Sequence, residues 1–173
     1  MKRFFVFRSI PFLLLGLTIS VALFAQDTKA QKKAERTAQI KSLVESQHYI
    51  FIAQNAFPMN GRMRSITPDY DVIVTKDSVV SYLPFFGRAY TADYGITKSP
   101  LDYKTKSFTY NISPGKKDGW TVTIKPKDIK SVQSMTLLIS SEGNTTVQVT
   151  SNDRSPISFS GYITERKVKE KKQ

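Results

Sequence analysis

The side chains that could carry acid–base or metal chemistry are few and scattered in this sequence. It contains one histidine, His48, and no cysteine. A histidine titrates near neutral pH and can serve as a general base or a metal ligand, but a structural zinc site draws on several histidines or cysteines. His48 follows a predicted helix, where the helix dipole favours a histidine. We therefore interpret His48 as a helix-end or surface residue and predict neither a metal site nor a cofactor.

The aspartates fall mostly in predicted turns and at strand ends, where an Asp side chain bonds neighbouring backbone amides. Asp69 and Asp71 flank Tyr70 and would point to one face of a strand, an arrangement that could host a calcium ion or an acid–base pair. The simpler interpretation is that both carboxylates face solvent. The serines include no Gly-x-Ser-x-Gly elbow of the kind that hydrolases use. The sequence therefore favours a protein without catalytic residues.

The segment YLPFFGRAY at 82–90 combines four aromatic residues with a proline, a glycine and an arginine. One interpretation is a β-corner, in which Pro84 ends the strand ladder and Gly87 permits a backbone turn. In that corner Tyr82, Phe85 and Phe86 would point inward and fill the core.

The other interpretation of this segment is a recognition edge, because aromatic and arginine side chains concentrate binding energy. Its candidate binding residues are Gly87, Arg88, Tyr90 and Tyr94. The environment of Arg88 distinguishes the two interpretations. An Arg88 paired with Asp93 or Asp102 would be structural, whereas a free Arg88 beside exposed tyrosines would favour binding.

The elements that position these residues follow from the hydrophobic period. In residues 32–47, Ile40, Leu43 and Val44 recur at helical spacing between charged residues and predict an amphipathic helix. A β-branched and aromatic run from Tyr49 to Pro58 predicts the first strand. Residues 70–83 predict a hairpin around a turn at 75–78. Residues 88–104 lack a period and predict a long connection or irregular edge.

The second half of the chain alternates apolar and polar residues more clearly. Such alternation predicts strands with one buried and one solvated face. Turn sequences separate five successive strands, which we expect to form an antiparallel meander. We predict an α+β, mainly antiparallel β fold, with an N-terminal amphipathic helix followed by about eight strands in a sandwich or open barrel. The five strands of the meander begin near residues 107, 120, 135, 145 and 157.

The ends of the chain have their own composition. Lys2, Arg3 and Arg8 precede an uncharged run from Ile10 to Phe24, which predicts a secretory signal peptide over residues 1–25. The run is too short for a typical membrane-spanning helix, although Leu23 lies where signal peptidases prefer a small residue, so an uncleaved anchor is the alternative. We predict an exported protein, periplasmic or secreted, without an integral span after signal cleavage and without lipid attachment through cysteine.

The predicted domain organisation places a polar lead-in at 26–31, one β-rich domain at 32–164 and a basic disordered tail at 165–173. The formal net charge of the chain is +12. In an exported protein this excess favours loose attraction to anionic lipid or polysaccharide over a nucleic-acid partner.

Four ordered blocks of residues resemble a known family. They are IFIAQNAFPMNGR at 50–62, SYLPFFGRAY at 81–90, GWTVTIKPKD at 119–128 and VQVTSNDRSPISFSGYI at 147–163. In that order they resemble domain of unknown function 4251, an exported family of Bacteroides-type bacteria, over residues 31–164. The resemblance implies a secreted or periplasmic setting and carries no known activity, cofactor or catalytic residue. Many similar proteins look lipid-anchored through an N-terminal cysteine, which this chain lacks.

Export, a compact β-rich core and the aromatic segment together favour a non-catalytic binding or envelope-associated module, whose partner would be a protein, peptide or glycan. The alternative is an exported hydrolase or lyase of unrecognised type, with Tyr, Asp or His48 as acid or base. A third possibility is a purely structural role in the envelope, through a sheet edge open to pairing.

Overall fold

The computed structural model describes residues 29–90 and 98–166. The predicted signal peptide, Asp93, Tyr94 and most of the predicted basic tail lie outside these residues. Backbone contacts divide the chain into two compact units, Met1–Arg36 and Thr37–Gln173. In the first unit, residues 29–36 are helical and have exposed side chains. The described part of helix α1 comprises residues 29–46, of which residues 37–46 belong to the second unit. All the described strands follow in that unit.

Helix α1 uses the predicted apolar face. Ile40 and Val44, one turn apart, are fully buried in the hydrophobic core, and Leu43 packs against that core. The helix ends where Gln47 adopts a left-handed conformation with φ of 53°, the usual geometry of a helix C-terminus. The amide of His48 then donates a 3.2 Å hydrogen bond to the carbonyl of Leu43. The chain can therefore enter the first strand directly after the helix.

Ten antiparallel strands follow helix α1. They are β1 (Tyr49–Pro58), β2 (Arg64–Ser65), β3 (Asp71–Val74), β4 (Val79–Tyr82), β5 (Asp102–Thr105), β6 (Phe108–Pro114), β7 (Trp120–Pro126), β8 (Val132–Ile139), β9 (Asn144–Ser151) and β10 (Ile157–Thr164). Their order in the sheet is β5-β4-β3-β1-β10-β9-β8-β7-β6, and β2 pairs with β1.

The predicted fold class is confirmed, with two strands more than the sequence pattern indicates. The meander from β6 to β10 and the hairpin of β3 and β4 are present. In the hairpin turn, the Thr75 amide donates to the Ser78 carbonyl at 2.9 Å. The additional strands are the two-residue β2 and the mostly polar β5, which begins inside the segment 88–104 that was expected to be irregular. Strand β5 forms because it pairs with β4, with Tyr82 opposite Asp102.

The sheet is nearly closed and barrel-like, and its two edge strands, β5 and β6, follow each other in the chain with two residues between them. In the middle of the sheet, β1 pairs with both β3 and β10. This pairing joins the N-terminal hairpin to the C-terminal meander in one continuous sheet, which fits the open barrel and not the sandwich. In β10, Gly161 approaches β1 so closely that a Cβ atom there would collide with the Ile52 carbonyl. The close approach explains a glycine in the middle of a central strand.

One hydrophobic cluster fills the inner side of the sheet. Along most strands, buried residues alternate with residues that are partly or fully exposed, as expected when one sheet face is dry. Strands β2 and β6 are the exceptions, since neither contains a fully buried residue. The largest fully buried side chains include Tyr49, Phe51, Phe159, Leu83 and Leu101. Within the part of the chain that the structure describes, no helix combines the length and the apolar character needed to span a membrane.

Candidate functional site

The segment 82–90 packs against the connection between β9 and β10. The Tyr90 amide donates to the Asp153 carbonyl at 2.8 Å, and the Ser155 amide donates to the Arg88 carbonyl at 2.9 Å. The Arg88 amide donates to the Ser155 hydroxyl, also at 2.9 Å. A bridge between Ala89 and Arg154 lies between these bonds. The backbone of the segment is therefore held in place by a loop distant in sequence.

Gly87 has a steric role in this packing. A Cβ atom at Gly87 would lie 2.5 Å from Cζ of Phe85 and 2.5 Å from Oγ of Ser155. Among the described glycines, only Gly143 has a positive φ. The chain bends at Gly87, as the sequence predicts, but without the left-handed conformation that favours glycine. Glycine is needed here because the segment and the β9–β10 loop are too close for a side chain.

A partly buried ion pair lies in the same connection between β9 and β10. Arg154 is 7% exposed, and its Nε and Nη2 donate to the two carboxylate oxygens of Asp153 at 2.9 and 2.6 Å. The Arg154 guanidinium also lies 5.4 Å from the Phe85 ring centroid. These hydrogen bonds from Arg154 are the main reason that the pKa of Asp153 is lowered. Sequence reasoning missed this pair because SNDRSP looks like an ordinary turn.

The orientation of Tyr82 differs from the sequence prediction. Tyr82 is 46% exposed and stacks on Tyr70, with ring centroids 5.3 Å apart. Val79 and Ser81 occupy the inward positions of β4, so the next residue must point outward. The following Leu83 and Pro84 are buried instead. Phe85 and Phe86 pack against the core, as the sequence predicts.

The predicted binding residues differ in how far they are exposed to solvent. Gly87 is half-buried, whereas Arg88 and Tyr90 are exposed, and Tyr90 exposes 64% of its area. Within the described residues, Arg88 forms no ion pair with Asp102. Tyr94 and Asp93 lie outside the described part of the chain.

A second segment adds exposed apolar side chains near the first. Phe57, Met59 and Met63 are 41%, 67% and 57% exposed. The Arg64 guanidinium lies 4.8 Å from the centroid of the Phe86 ring, and this contact links residues 57–64 to residues 82–90. We call the exposed apolar side chains of these two segments the aromatic–methionine surface. They are Phe57, Met59, Met63, Tyr82 and Tyr90. The sequence signal for it lay in residues 57–63, FPMNGRM, whose two methionines were not considered as binding residues.

The other candidate residues do not assemble into a reactive site. His48 is exposed at the end of helix α1. Asp69 lies in a turn and not on the strand that carries Asp71, so the predicted pairing of their carboxylates on one strand face is wrong. Burial raises the pKa of Asp71. Among the described residues, no group of three or more His, Cys, Asp or Glu side chains could hold a metal ion.

Comparisons with known proteins agree with the resemblance seen in the sequence. Residues 31–163 match the family described as domain of unknown function DUF4251. No curated protein matches the chain. The fold is similar to the 1.95 Å crystal structure of a DUF4251 family protein from Bacteroides eggerthii, with a TM-score of 0.57 and 16% sequence identity. The similarity covers 76% of this chain and 89% of that chain. The chain belongs to the DUF4251 family.

Proposed function

We propose that this protein is an exported, non-catalytic binding module that uses the aromatic–methionine surface to bind a partner protein. The observation that carries the proposal is the distribution of exposed apolar side chains. Of the seven large hydrophobic residues that are exposed in the described chain, five lie on this surface. They are Phe57, Met59, Met63, Tyr82 and Tyr90. A local concentration of this kind is typical of a protein interaction site.

The chemistry of the surface supports a protein partner. Methionine adapts to irregular apolar partners, and tyrosine offers an apolar ring with a polar tip. Arg62, Arg64 and Arg88 are exposed in the same segments. Aromatic, methionine and arginine residues are enriched in protein interfaces. The three guanidinium groups favour a partner whose contact surface is acidic, because complementary charge speeds association and selects among partners.

The backbone beneath the surface is well suited to binding. Strands β1 and β4 continue into the two segments, and the β9–β10 loop holds residues 88–90 through three hydrogen bonds. A surface held in this way loses little conformational freedom when a partner binds. Export rests on the basic and apolar pattern of residues 1–25, so the partner would belong to the envelope or the extracellular medium.

Site-specific photocrosslinking in the native envelope tests this function. A photoreactive residue at position 90 or 63 is expected to form a covalent adduct with an acidic protein. The matched control is position 112, because Ile112 has 41% exposure and lies on the edge strand β6. Arg88→Glu should remove the adduct by placing a negative charge opposite the acidic partner. Equal adducts from positions 90 and 112, or none from 90 and 63, would contradict the proposal.

A further inference from the structure

A groove of about 790 Å³ lies where the β6–β7 turn, the β8–β9 turn and the adjoining strand ends meet. Gly115 and Lys116 of the first turn and Ser140 of the second contribute to its lining. Small-molecule sites commonly have volumes of about 300–1,000 Å³. The groove therefore has room for a ligand of a few ring units, and it differs from the aromatic–methionine surface in position and composition.

A row of residues that cross adjacent strands forms one side of the groove. Thr121 of β7 is opposite Leu138 of β8, Leu138 is opposite Thr146 of β9, and Thr146 is opposite Ser160 of β10. Each of the four residues alternates with core residues of its strand, so the row lies on the outer face of the sheet. Three hydroxyl groups and one isobutyl group are thus held in line by strand pairing.

Several polar groups of the lining have no protein partner in the described chain. The side-chain amides of Gln54 and Asn144 and the hydroxyl groups of Thr121 and Thr146 form no hydrogen bond with described residues. The hydroxyl of Ser140 is buried and is also without a hydrogen-bond partner there. Amides and hydroxyls can both donate and accept hydrogen bonds. The groove therefore offers neutral groups of both kinds to a ligand.

The formal charges of the residues that line the groove restrict the net charge of a ligand that could bind there. The fourteen lining residues include one ammonium group, that of Lys116, and no carboxylate. A cationic ligand would lack a counter-charge, and a polyanion would have one cation to pair with. A purely apolar ligand would leave the amides and hydroxyls without partners, which costs free energy. The lining thus favours a neutral ligand rich in hydroxyl groups.

Apolar contacts complete the match to a sugar. Trp120 packs against the core and is half-buried, and its remaining surface lines the groove. Leu138 lies on the outer face and exposes 43% of its area there. A sugar ring has hydroxyl groups at its rim and C–H groups on its faces, so it can use both parts of such a lining. We propose that this groove binds a neutral oligosaccharide of two or three units. This site is additional to the protein-binding surface and does not depend on it.

The test uses the full-length chain, purified after expression in a bacterial host, and neutral trisaccharides as probes. Maltotriose, cellotriose and laminaritriose are titrated while the NMR signals of the Trp120 indole and the Leu138 methyl groups are followed. At least one probe should shift these signals to saturation at millimolar concentration. Trigalacturonate and the glucosamine trimer, which are charged, should bind at least about tenfold more weakly. If no neutral probe shifts either signal, or if a charged trimer binds equally well, the proposal is wrong.

A pair of threonine variants tests the location. Thr146→Arg places a long side chain in the row and should abolish the shifts. Thr136→Arg is the matched control, because Thr136 is also half-buried on the outer face of a central strand but does not line the groove. Asn144→Ala, a milder change, should weaken binding about tenfold through the lost hydrogen bond. Full affinity in a folded Thr146→Arg or Asn144→Ala protein would overturn the assignment of the groove.

Discussion

Arg154 donates two hydrogen bonds to the carboxylate of its sequence neighbour Asp153, at 2.9 and 2.6 Å, while the backbone of the same two residues contacts residues 89 and 90. Arg154→Ala would leave Asp153 without its partner and remove the cation from the Phe85 ring. We expect a loss of about 2–3 kcal/mol in the free energy of unfolding, measured by urea denaturation. Arg62→Ala, at an exposed position, should have little effect. An equal effect of the two changes would contradict the structural role of Arg154.

The same ion pair predicts a loss of stability in acid. The pKa of Asp153 is lowered from 3.8, mainly by the hydrogen bonds from Arg154. The folded state therefore favours the carboxylate, and its stabilising contribution is complete above the unfolded pKa. As the pH falls below about 4 toward the folded pKa, that contribution is lost. Unfolding free energies measured from pH 6 downward should fall less steeply for Asp153→Asn than for the parent chain. If the unfolding free energies of Asp153→Asn and the parent chain fell equally with pH, Asp153 would not be the source of the acid destabilisation.

Gly87→Ala should destabilise the corner. The new Cβ atom would lie 2.5 Å from both Phe85 and Ser155, and overpacking of this kind costs about 1–3 kcal/mol. Gly61→Ala is a matched control, because its Cβ would meet Pro58 at 3.3 Å on an exposed turn. Thermal unfolding should show a lower midpoint for Gly87→Ala than for Gly61→Ala. Equal midpoints would mean that the β9–β10 loop moves aside at no cost.

A pair of neighbouring substitutions tests the outward position of Tyr82. Leu83 is fully buried, so Leu83→Ala should cost about 2–5 kcal/mol through lost burial and a residual cavity. Tyr82→Ala removes mainly the stacking on Tyr70 and should cost about 1 kcal/mol. Chemical denaturation of both variants provides the comparison. A larger cost for Tyr82→Ala than for Leu83→Ala would show that Tyr82 points inward after all.

A contact between the buried Tyr49 and the half-buried Tyr110 predicts a loss of stability at high pH. The Tyr110 hydroxyl donates to the Val44 carbonyl at 3.0 Å and lies 3.2 Å from the Tyr49 hydroxyl. Burial raises the pKa of Tyr110 from 10.0 to about 12, and burial also raises the pKa of Tyr49. Since the folded state retains the protons that the unfolded state loses, stability should fall as the pH rises above 10.

Tyr110→Phe tests this alkaline effect. The variant should be less stable near neutral pH by about 1 kcal/mol, because the hydrogen bond to Val44 is lost. Its stability should also fall less steeply between pH 10 and pH 12 than that of the parent chain. Tyr90→Phe, at a position with 64% exposure, is the control for the loss of a tyrosine hydroxyl and should cost little stability near neutral pH. If the stability of Tyr110→Phe fell as steeply between pH 10 and pH 12 as that of the parent chain, Tyr110 would not contribute to the alkaline loss of stability.

The candidate surface was only partly predictable from sequence. The YLPFFGRAY segment was identified by its composition, and the core contacts of Phe85 and Phe86 followed from their apolar rings. The contribution of Met59 and Met63 was missed, because the sequence does not show that residues 57–64 contact residues 82–90 in the folded chain. The role of Arg154 was missed because its contact with the Phe85 ring joins the β9–β10 loop to a segment distant in sequence.

The sequence by itself determined the local elements, because the alternation of apolar residues depends on the geometry of a single strand or helix. It indicated helix α1, the β3–β4 hairpin and the meander from β6 to β10. Only the tertiary structure decided the pairing of β1 with β10, the formation of β5 and the outward position of Tyr82. These features depend on hydrogen bonds and packing between distant parts of the chain, and the periodicity of one segment does not specify its partner.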